Sequence, residues 1–231
     1  MKLLIERDRL LNLLIAVTSV VERRQTLPIL ANVLVQLESN TLTLVGTDLE
    51  VEASIQAEAL KGTDGKCTVA ARKLLDICKA LPEQANIELE TVDSRLKVRS
   101  GRSRFSLQTL AAADFPRLET DNWEERIQLE QSALRALFDK TAFSMAQQDV
   151  RYFLNGVLLE LDGNNLVAVA TDGHRLARSR TVLPGTVGQP RQAIIPRKAV
   201  LERGRLLAAR SDRDKVEVHA NHPRFSTGRS V

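Results

Sequence analysis

The sequence predicts an α+β protein in which one type of domain occurs twice, each copy having an antiparallel sheet with two helices packed on one face. Three observations support this prediction. Segments of the chain recur at a nearly constant offset, paired runs of alternating apolar residues are typical of hairpin strands, and other segments carry apolar residues at helical spacing.

The internal repeat is carried by three segments. Residues 27–50 (LPILANVLVQLESNTLTLVGTDLE) align without a gap with residues 151–174 (RYFLNGVLLELDGNNLVAVATDGH). Upstream, RDRLLNLLIAVTS aligns with QSALRALFDKTAF at the same offset, and downstream AARKLLDICKAL recurs as IPRKAVLERGRL one residue further on. Because separate segments keep nearly one offset, we interpret the chain as two copies of one supersecondary unit.

Each copy is predicted to begin with a helix, which in the first copy is RDRLLNLLIAVTS. A hairpin follows, formed by NVLVQLE and TLTLVGT with its turn at Ser39–Asn40. EVEASIQAEAL continues as strand, a second helix opens at Ala71, and a closing hairpin of NIELETV and RLKVRSG runs on into RFSLQTL. The predicted domains span residues 1–120 and 125–231, and Pro116 and a cluster of acidic residues mark the join.

Composition indicates a protein of the cytoplasm. Hydrophobic residues make up 43% and charged residues 27% of the chain, and no apolar run approaches the roughly 20 residues that a membrane span needs. No apolar signal segment follows the N-terminus, and Cys67 and Cys78 are expected to be buried or half-buried free thiols. The net charge of +4 is concentrated after residue 190, a pattern that suits nucleic acid or a solvated helix face equally well.

The Thr–Asp pair occurs in both copies, as VGTDLEVEAS and as VATDGHRLARS. We predict that its role is structural, with side-chain hydrogen bonds that stabilise a turn at the end of a strand. An enzyme using Asp172 and His174 is the least favoured interpretation, because the first copy keeps the aspartate without any histidine nearby. No nucleotide-binding, hydrolase or metalloprotease motif is found, so we predict no catalytic residues, no metal and no cofactor.

Basic pairs recur at matching places. Arg72–Lys73 and Arg197–Lys198 open the second helix of each copy, and Arg23–Arg24 follows the first helix of the first copy. Such a periodic track of cations suits the phosphate backbone of DNA and requires no reading of bases. Ordinary solvated charge at helix ends is the alternative, and spacing alone favours that alternative.

Eight motifs together resemble the bacterial DNA polymerase sliding clamp, the beta subunit of the replicative polymerase. In order along the chain they are RDRLL, LPILAN, LVGTDLE, SGRSRFSL, AADFP, FSMAQQDVRYFLNG, VATDGHRLA and IPRK. The resemblance implies domains of the clamp type and a non-enzymatic role in DNA replication as a processivity factor. In that family three such domains per chain close head to tail as a dimer, and the ring surrounds duplex DNA.

The resemblance also implies site residues and partners. The expected partners are duplex DNA, bound without regard to sequence, and short peptides of the replicative polymerase and the clamp loader. The residues expected to face DNA are Arg24, Arg72, Lys73, Gln148, Tyr152, Arg197 and Lys198. One wall of a hydrophobic peptide pocket is expected from Leu154, Thr171, Gly173, His174, Arg175 and Leu176, and Phe105 and Leu107 resemble the subunit interface.

The chain departs from the family pattern in its second half. It ends at Val231, so we expect a shortened form without the third domain and with an incomplete second domain that lacks a match for RFSLQTL. Gly204 in the second helix and Pro223 in an apolar alternation are expected to fit poorly. The family is homo-oligomeric, but we expect this chain to form a monomer or heterogeneous oligomer and no stable ring. The alternative function is a binding module that does not encircle DNA and presents part of the peptide pocket or the basic face.

Overall fold

In the computed structural model of the protein, the described residues are 1–21, 27–118, 125–186, 188–206, 213–218 and 223–227. The chain divides into two units, Met1–Leu118 and Glu119–Arg229, and each has its own buried apolar core. Among the described residues, no helix is both long enough and apolar enough to cross a membrane.

The first unit joins its strands in one antiparallel sheet of nine, in the order β4-β3-β2-β6-β9-β8-β7-β1-β5. Its helices and strands are β1 (Lys2–Glu6), α1 (Arg7–Thr18), β2 (Asn32–Glu38), β3 (Thr41–Thr47), β4 (Glu52–Glu58), β5 (Lys61–Thr63), β6 (Gly65–Ala70), α2 (Ala71–Ala80), β7 (Asn86–Val92), β8 (Arg95–Ser100) and β9 (Ser103–Leu110).

The two helices and the sheet share one core. Leu10, Leu13, Leu14 and Val17 recur on one face of α1 at helical spacing, and all four are fully buried. Buried side chains of α2 and of alternate strand positions complete this core, as period-2 strands predict. The predicted α+β class is therefore confirmed.

The first hairpin turns where the sequence predicts. Ser39 and Asn40 have φ angles of 49° and 63°, and both lie in the left-handed region. Two consecutive left-handed residues are what a two-residue hairpin of the mirror type needs, and asparagine tolerates that region better than most residues. Glu38 pairs with Thr41 across the turn, so the register of the hairpin is fixed.

Three strands of the first unit were not predicted. The prediction that a helix comes first is wrong, because β1 precedes α1 and pairs with β7, with Leu3 opposite Leu89. Leu4 interrupts the alternation of apolar and polar residues in KLLIE, so the segment carries little local strand signal. Strands β5 and β6 lie between the predicted strand after the hairpin and the second helix.

The second unit repeats this plan in two sheets, of order β13-β12-β11-β14 and β10-β15-β16. Leu134, Leu166 and Val157 are fully buried in its core, together with residues of both sheets and α4. The elements are β10 (Glu125–Glu130), α3 (Gln131–Asp139), β11 (Gly156–Asp162), β12 (Asn165–Thr171), β13 (Leu176–Val182), β14 (Arg191–Pro196), α4 (Arg197–Leu206), β15 (Arg213–Val218) and β16 (Pro223–Thr227).

The second unit accommodates the two residues that were expected to fit poorly. Helix α4 continues through Gly204 to Leu206. Pro223 is the first residue of β16, and β16 pairs with β15 alone among the described strands. An edge strand tolerates proline because the missing N–H need not serve a second neighbour.

Strand β9 has no counterpart among the described residues of the second unit. In the first unit its residues 103–108 pair with β8 and Thr109 and Leu110 pair with β6, so it joins the two halves of the nine-stranded sheet. In the second unit, β14 and β16 each have one described neighbour, and the sheet is divided.

Candidate functional site

The Thr–Asp pair forms the same hydrogen-bonded turn in both units. In the first unit the Thr47 hydroxyl donates to the carbonyl of Val51 at 3.0 Å, and the Asp48 carboxylate accepts from the N–H groups of Glu50 and Val51 at 3.0 and 2.7 Å. In the second unit the Thr171 hydroxyl donates to the carbonyl of Arg175 at 2.7 Å. The predicted structural role of this pair is confirmed.

The second turn is braced further. The carboxylate of Asp172 accepts from the N–H groups of His174 and Arg175, each at 3.0 Å, and from Nε of Arg175 at 3.0 Å. These backbone N–H groups and then the Arg175 guanidinium lower the pKa of Asp172 to about 2. The aspartate is therefore a fixed anion that holds the turn together, and it has no role as a proton donor near neutral pH.

The two turns differ at one backbone position. Leu49 has a φ of 77°, and Gly173, its counterpart, has a φ of 88°. Glycine adopts this left-handed conformation freely, whereas a leucine is strained in it. The second copy therefore forms the same turn with a relaxed residue, and Gly173, His174 and Arg175 on it are all exposed.

The six residues of the expected pocket wall are not equally accessible. Leu176 is 65% exposed at the start of β13 and lies opposite Thr171 in the ladder with β12. Leu154, by contrast, is 8% exposed and can form only the floor of a pocket. The N–H groups of Gly173, His174 and Arg175 all donate within the turn, so the backbone of the turn is already hydrogen-bonded.

Two further residues lie beside this wall that sequence reasoning missed. The Arg175 guanidinium lies 5.8 Å from the centre of the Phe143 ring, in a cation–π arrangement, and Phe143 is 59% exposed. A Cβ placed on Gly173 would lie 3.6 Å from Nη2 of Arg151. Both residues belong to the motif FSMAQQDVRYFLNG, and the aromatic and basic residues of that motif were the available signal.

The expected DNA-facing residues Gln148 and Tyr152 lie on the loop between α3 and β11. Gln148 is exposed, and Tyr152 is 80% exposed with its ring packed edge to face against Phe153. The loop is braced by Asp149, which binds Arg151 at 2.8 and 2.9 Å. The side-chain hydrogen bond from Arg151 is the largest influence that lowers the pKa of Asp149, which falls to about 2.

The basic pairs open the second helix of each unit, as predicted. Arg72 and Lys73 are exposed on α2, and Arg197 and Lys198 are half-buried on α4. Arg72 also donates from Nη2 to the carbonyl of Val21 at 3.0 Å. Arg24 lies outside the described residues.

The remaining candidates lie within the first unit. Phe105 is 39% exposed on β9, and Leu107 packs partly against the core. Cys67 and Cys78 are buried free thiols, as expected, and burial raises their pKa values to about 11 and about 12. Both thiols are therefore protonated near neutral pH. Among the described residues, no group of three or more His, Cys, Asp or Glu side chains could hold a metal ion.

Comparison with known proteins places this geometry in a family. Residues 1–119 match the family description "DNA polymerase III beta subunit, N-terminal domain", and residues 128–230 match "DNA polymerase III beta subunit, central domain". The beta sliding clamp of Pseudomonas putida is 48% identical over 226 residues, which are 97% of this chain and 61% of the relative. The beta sliding clamp of Escherichia coli K12 is 45% identical over 99% of this chain and 62% of its own length.

A solved structure gives the same result. The DNA polymerase III subunit beta from Pseudomonas aeruginosa superposes with a TM-score of 0.95 at 46% identity, over 99% of this chain and 62% of that one. The chain thus spans about three fifths of the length of these relatives. With both of its domains matched, the chain belongs to the family of the DNA polymerase III beta subunit, the bacterial sliding clamp.

Proposed function

We propose that the chain acts as a DNA sliding clamp, a non-catalytic processivity factor that tethers the replicative polymerase to duplex DNA in the cytoplasm. Membership of the beta subunit family supports this proposal. The observation that carries it is the recurrence of a basic pair at the first turn of α2 and again of α4. Matched cations on a repeated unit suit a ligand that is itself a repeat of phosphates.

The mechanism of such a tether is electrostatic. Cations that contact phosphates release condensed counterions, so affinity depends steeply on salt and is indifferent to base sequence. Contacts with phosphates hold the protein on the duplex without holding it at one base pair, because every base pair presents the same phosphate charge. The protein can therefore stay on DNA and still slide.

A salt titration of duplex binding tests the phosphate contact. The logarithm of the affinity is plotted against the logarithm of salt concentration for the wild type, Lys73→Ala and Lys66→Ala. Lys73→Ala should reduce the slope by about 0.9, the value for one lost contact. Lys66 is an exposed lysine on β6, and Lys66→Ala should leave the slope unchanged. An unchanged slope for Lys73→Ala, or a strong preference for one duplex sequence, contradicts the proposal.

We further propose that the wall around Leu176 binds short peptides of the polymerase and the clamp loader. Leu176 is exposed and follows Arg175, whose guanidinium lies over the exposed Phe143 ring, so both side chains offer apolar surface that a peptide would bury. Arg175 and His174 supply a polar rim. Leu154 would form the floor. This is the wall that the family resemblance predicted from Leu154, Thr171, Gly173, His174, Arg175 and Leu176.

A second candidate is a binding module that does not encircle DNA. The accessibility of Leu176 favours it, because a peptide wall functions without a ring. Encirclement requires several copies, and the proposed subunit contact is Phe105 and Leu107 on β9. Light scattering and retention on nicked circular DNA separate the candidates. One sharp oligomer that is kept on circles and lost on linearising them supports the clamp, whereas a monomer or mixed oligomer released from both supports the module.

A further inference from the structure

The loop that carries Gln148 and Tyr152 is closed at its base. The N–H of Ala146 donates to the carbonyl of Leu154 at 3.0 Å. Inside the loop, the side chain of Asn155 accepts from the N–H of Asp149 at 2.9 Å and donates to the carbonyl of Asp149 at 2.8 Å. Residues 146–155 therefore form a braced unit whose orientation depends on what holds its two ends.

Both ends are held by Arg197, the first residue of α4. Its Nη1 donates to the carbonyl of Met145, just before the loop, at 3.4 Å. Its backbone N–H donates to the carbonyl of Asn155, at the end of the loop, at 2.9 Å. One residue thus ties the start of the loop and its end to the start of a helix.

The first unit makes the corresponding side-chain bond. Arg72, the counterpart of Arg197 in the repeat, donates from Nη2 to the carbonyl of Val21 at 3.0 Å. Val21 is the counterpart of Met145 at the offset of 124 residues. Because the contact occurs twice at equivalent positions, it belongs to the repeat itself.

We propose that Arg197 is a positioning residue that acts on DNA through the loop, and that Lys198 supplies the phosphate contact of this basic pair. The proposal rests on the proposed function. The guanidinium is planar and rigid, so a bond from Nη1 to Met145 orients the whole group toward its own chain. Loss of the guanidinium would release the start of the loop at Met145 and misplace Gln148 and Tyr152.

A double-mutant cycle tests this division of roles. Arg197→Met keeps the apolar stem and the backbone N–H that binds Asn155, and it removes every side-chain donor, including the one that binds Met145. It is made in the wild type and in the Gln148→Ala, Tyr152→Ala background. If Arg197 acts through the loop, Arg197→Met should lower duplex affinity several-fold in the wild type. In the Gln148→Ala, Tyr152→Ala background the same substitution should lower it by less than about twofold. The salt slope should be the same with and without Arg197→Met in that background.

Lys198→Met is the matched control, since Lys198 is the next residue and is also half-buried. It should lower the salt slope by about 0.9 in both backgrounds, as one direct phosphate contact does. Equal losses of affinity for Arg197→Met in both backgrounds, each with a slope reduced by about 0.9, overturn the proposal and make Arg197 a direct contact.

Amide hydrogen exchange tests the anchor without DNA. Arg197→Met should speed exchange of the N–H groups of Ala146, Leu154 and Asn155, and Lys198→Met should not. Unchanged exchange in a folded Arg197→Met variant overturns the anchor whether or not the protein binds DNA. Accelerated exchange in a protein that shows no salt-dependent DNA binding would uphold the anchor and refute the proposed function.

Discussion

Two equivalent residues, Leu49 and Gly173, adopt the same left-handed backbone conformation, which strains only the leucine. Both have φ angles near 80° in the turn after a Thr–Asp pair. A non-glycine residue in the left-handed region costs about 1–2 kcal/mol, and the flexibility of glycine in the unfolded chain offsets about 0.5–1 kcal/mol of that. The strain at Leu49 is therefore a cost that the second turn avoids.

We predict opposite effects of exchanging these residues. Gly173→Ala should lower the free energy of unfolding by up to about 1.5 kcal/mol, because the added Cβ meets only an ordinary contact at 3.6 Å and the net cost is in the backbone. Leu49→Gly should be neutral or raise it by up to about 1 kcal/mol. Denaturant unfolding of the pair measures both. A large loss of stability for Leu49→Gly would instead assign its half-exposed side chain a packing role.

Asp172 gives the second turn a defined response to acid. The pKa of the folded carboxyl, about 2, is below its ordinary value of 3.8, so ionisation stabilises the turn. That contribution is fully present above about pH 4 and is lost as the pH falls toward 2. Carboxyl NMR titration should give Asp172 a pKa near 2. In Asp172→Asn, the chemical shifts of residues 171–175 should no longer change between about pH 4 and pH 2. An ordinary pKa would mean that the N–H bonds to His174 and Arg175 are not kept in solution.

Residue roles were predictable from sequence only where they are local. The structural role of Thr171 and Asp172 follows from the recurrence of the pair and from bonds that span four residues or fewer. The bonds of Arg72 and Arg197 could not be predicted, since their carbonyl acceptors lie 51 and 52 residues away. The left-handed φ of Leu49 could not be predicted either, because leucine does not favour that region.

At the scale of elements, β13 offers a test of the peptide wall. Leu176 and Val182 occupy the two ends of this strand, both on the same face, and are 65% and 63% exposed. Only Leu176 lies beside Arg175 and the Thr171 turn. The strand therefore supplies a leucine in the proposed site and a matched apolar residue outside it.

We predict that Leu176→Ala weakens binding of clamp-binding peptides about tenfold and that Val182→Ala leaves it unchanged. Burying a leucine side chain contributes about 1.5–3 kcal/mol, which corresponds to a tenfold change or more. Peptide titrations by fluorescence anisotropy measure the difference. Leu154→Ala should also weaken binding, but Leu154 is buried, so its stability must be checked alongside. Binding that survives the Leu176 change places the site elsewhere.

Elements were predicted where alternation and turn residues agree. The hairpin of β2 and β3 and both helices of the first unit follow from local pattern. Strand β1 was missed because its stability comes from pairing with β7, some 80 residues away, with Lys2 opposite Glu90. The sequence of a five-residue segment carries little information about a partner strand so far along the chain.

At the scale of the whole molecule, the two copies differ in how their sheets are joined. Strand β9 links the halves of the first unit into one sheet, whereas the described strands of the second unit form sheets of three and four. A strand with one neighbour makes fewer ladder hydrogen bonds, each worth about 1 kcal/mol. Among the described strands, those of the second unit are therefore joined by fewer ladder hydrogen bonds than those of the first.

We predict that the second unit unfolds first. Leu42 and Leu166 are equivalent in the repeat, and both are fully buried, one in each core. Leu→Ala in a core costs about 2–5 kcal/mol, so Leu166→Ala should lower the first of two denaturant transitions and Leu42→Ala only the second. Hydrogen exchange during unfolding assigns each transition, with β15 and β16 losing protection before β2 and β3. If both variants instead shift one cooperative transition by the same amount, the two cores unfold together and the division of the second sheet does not limit stability.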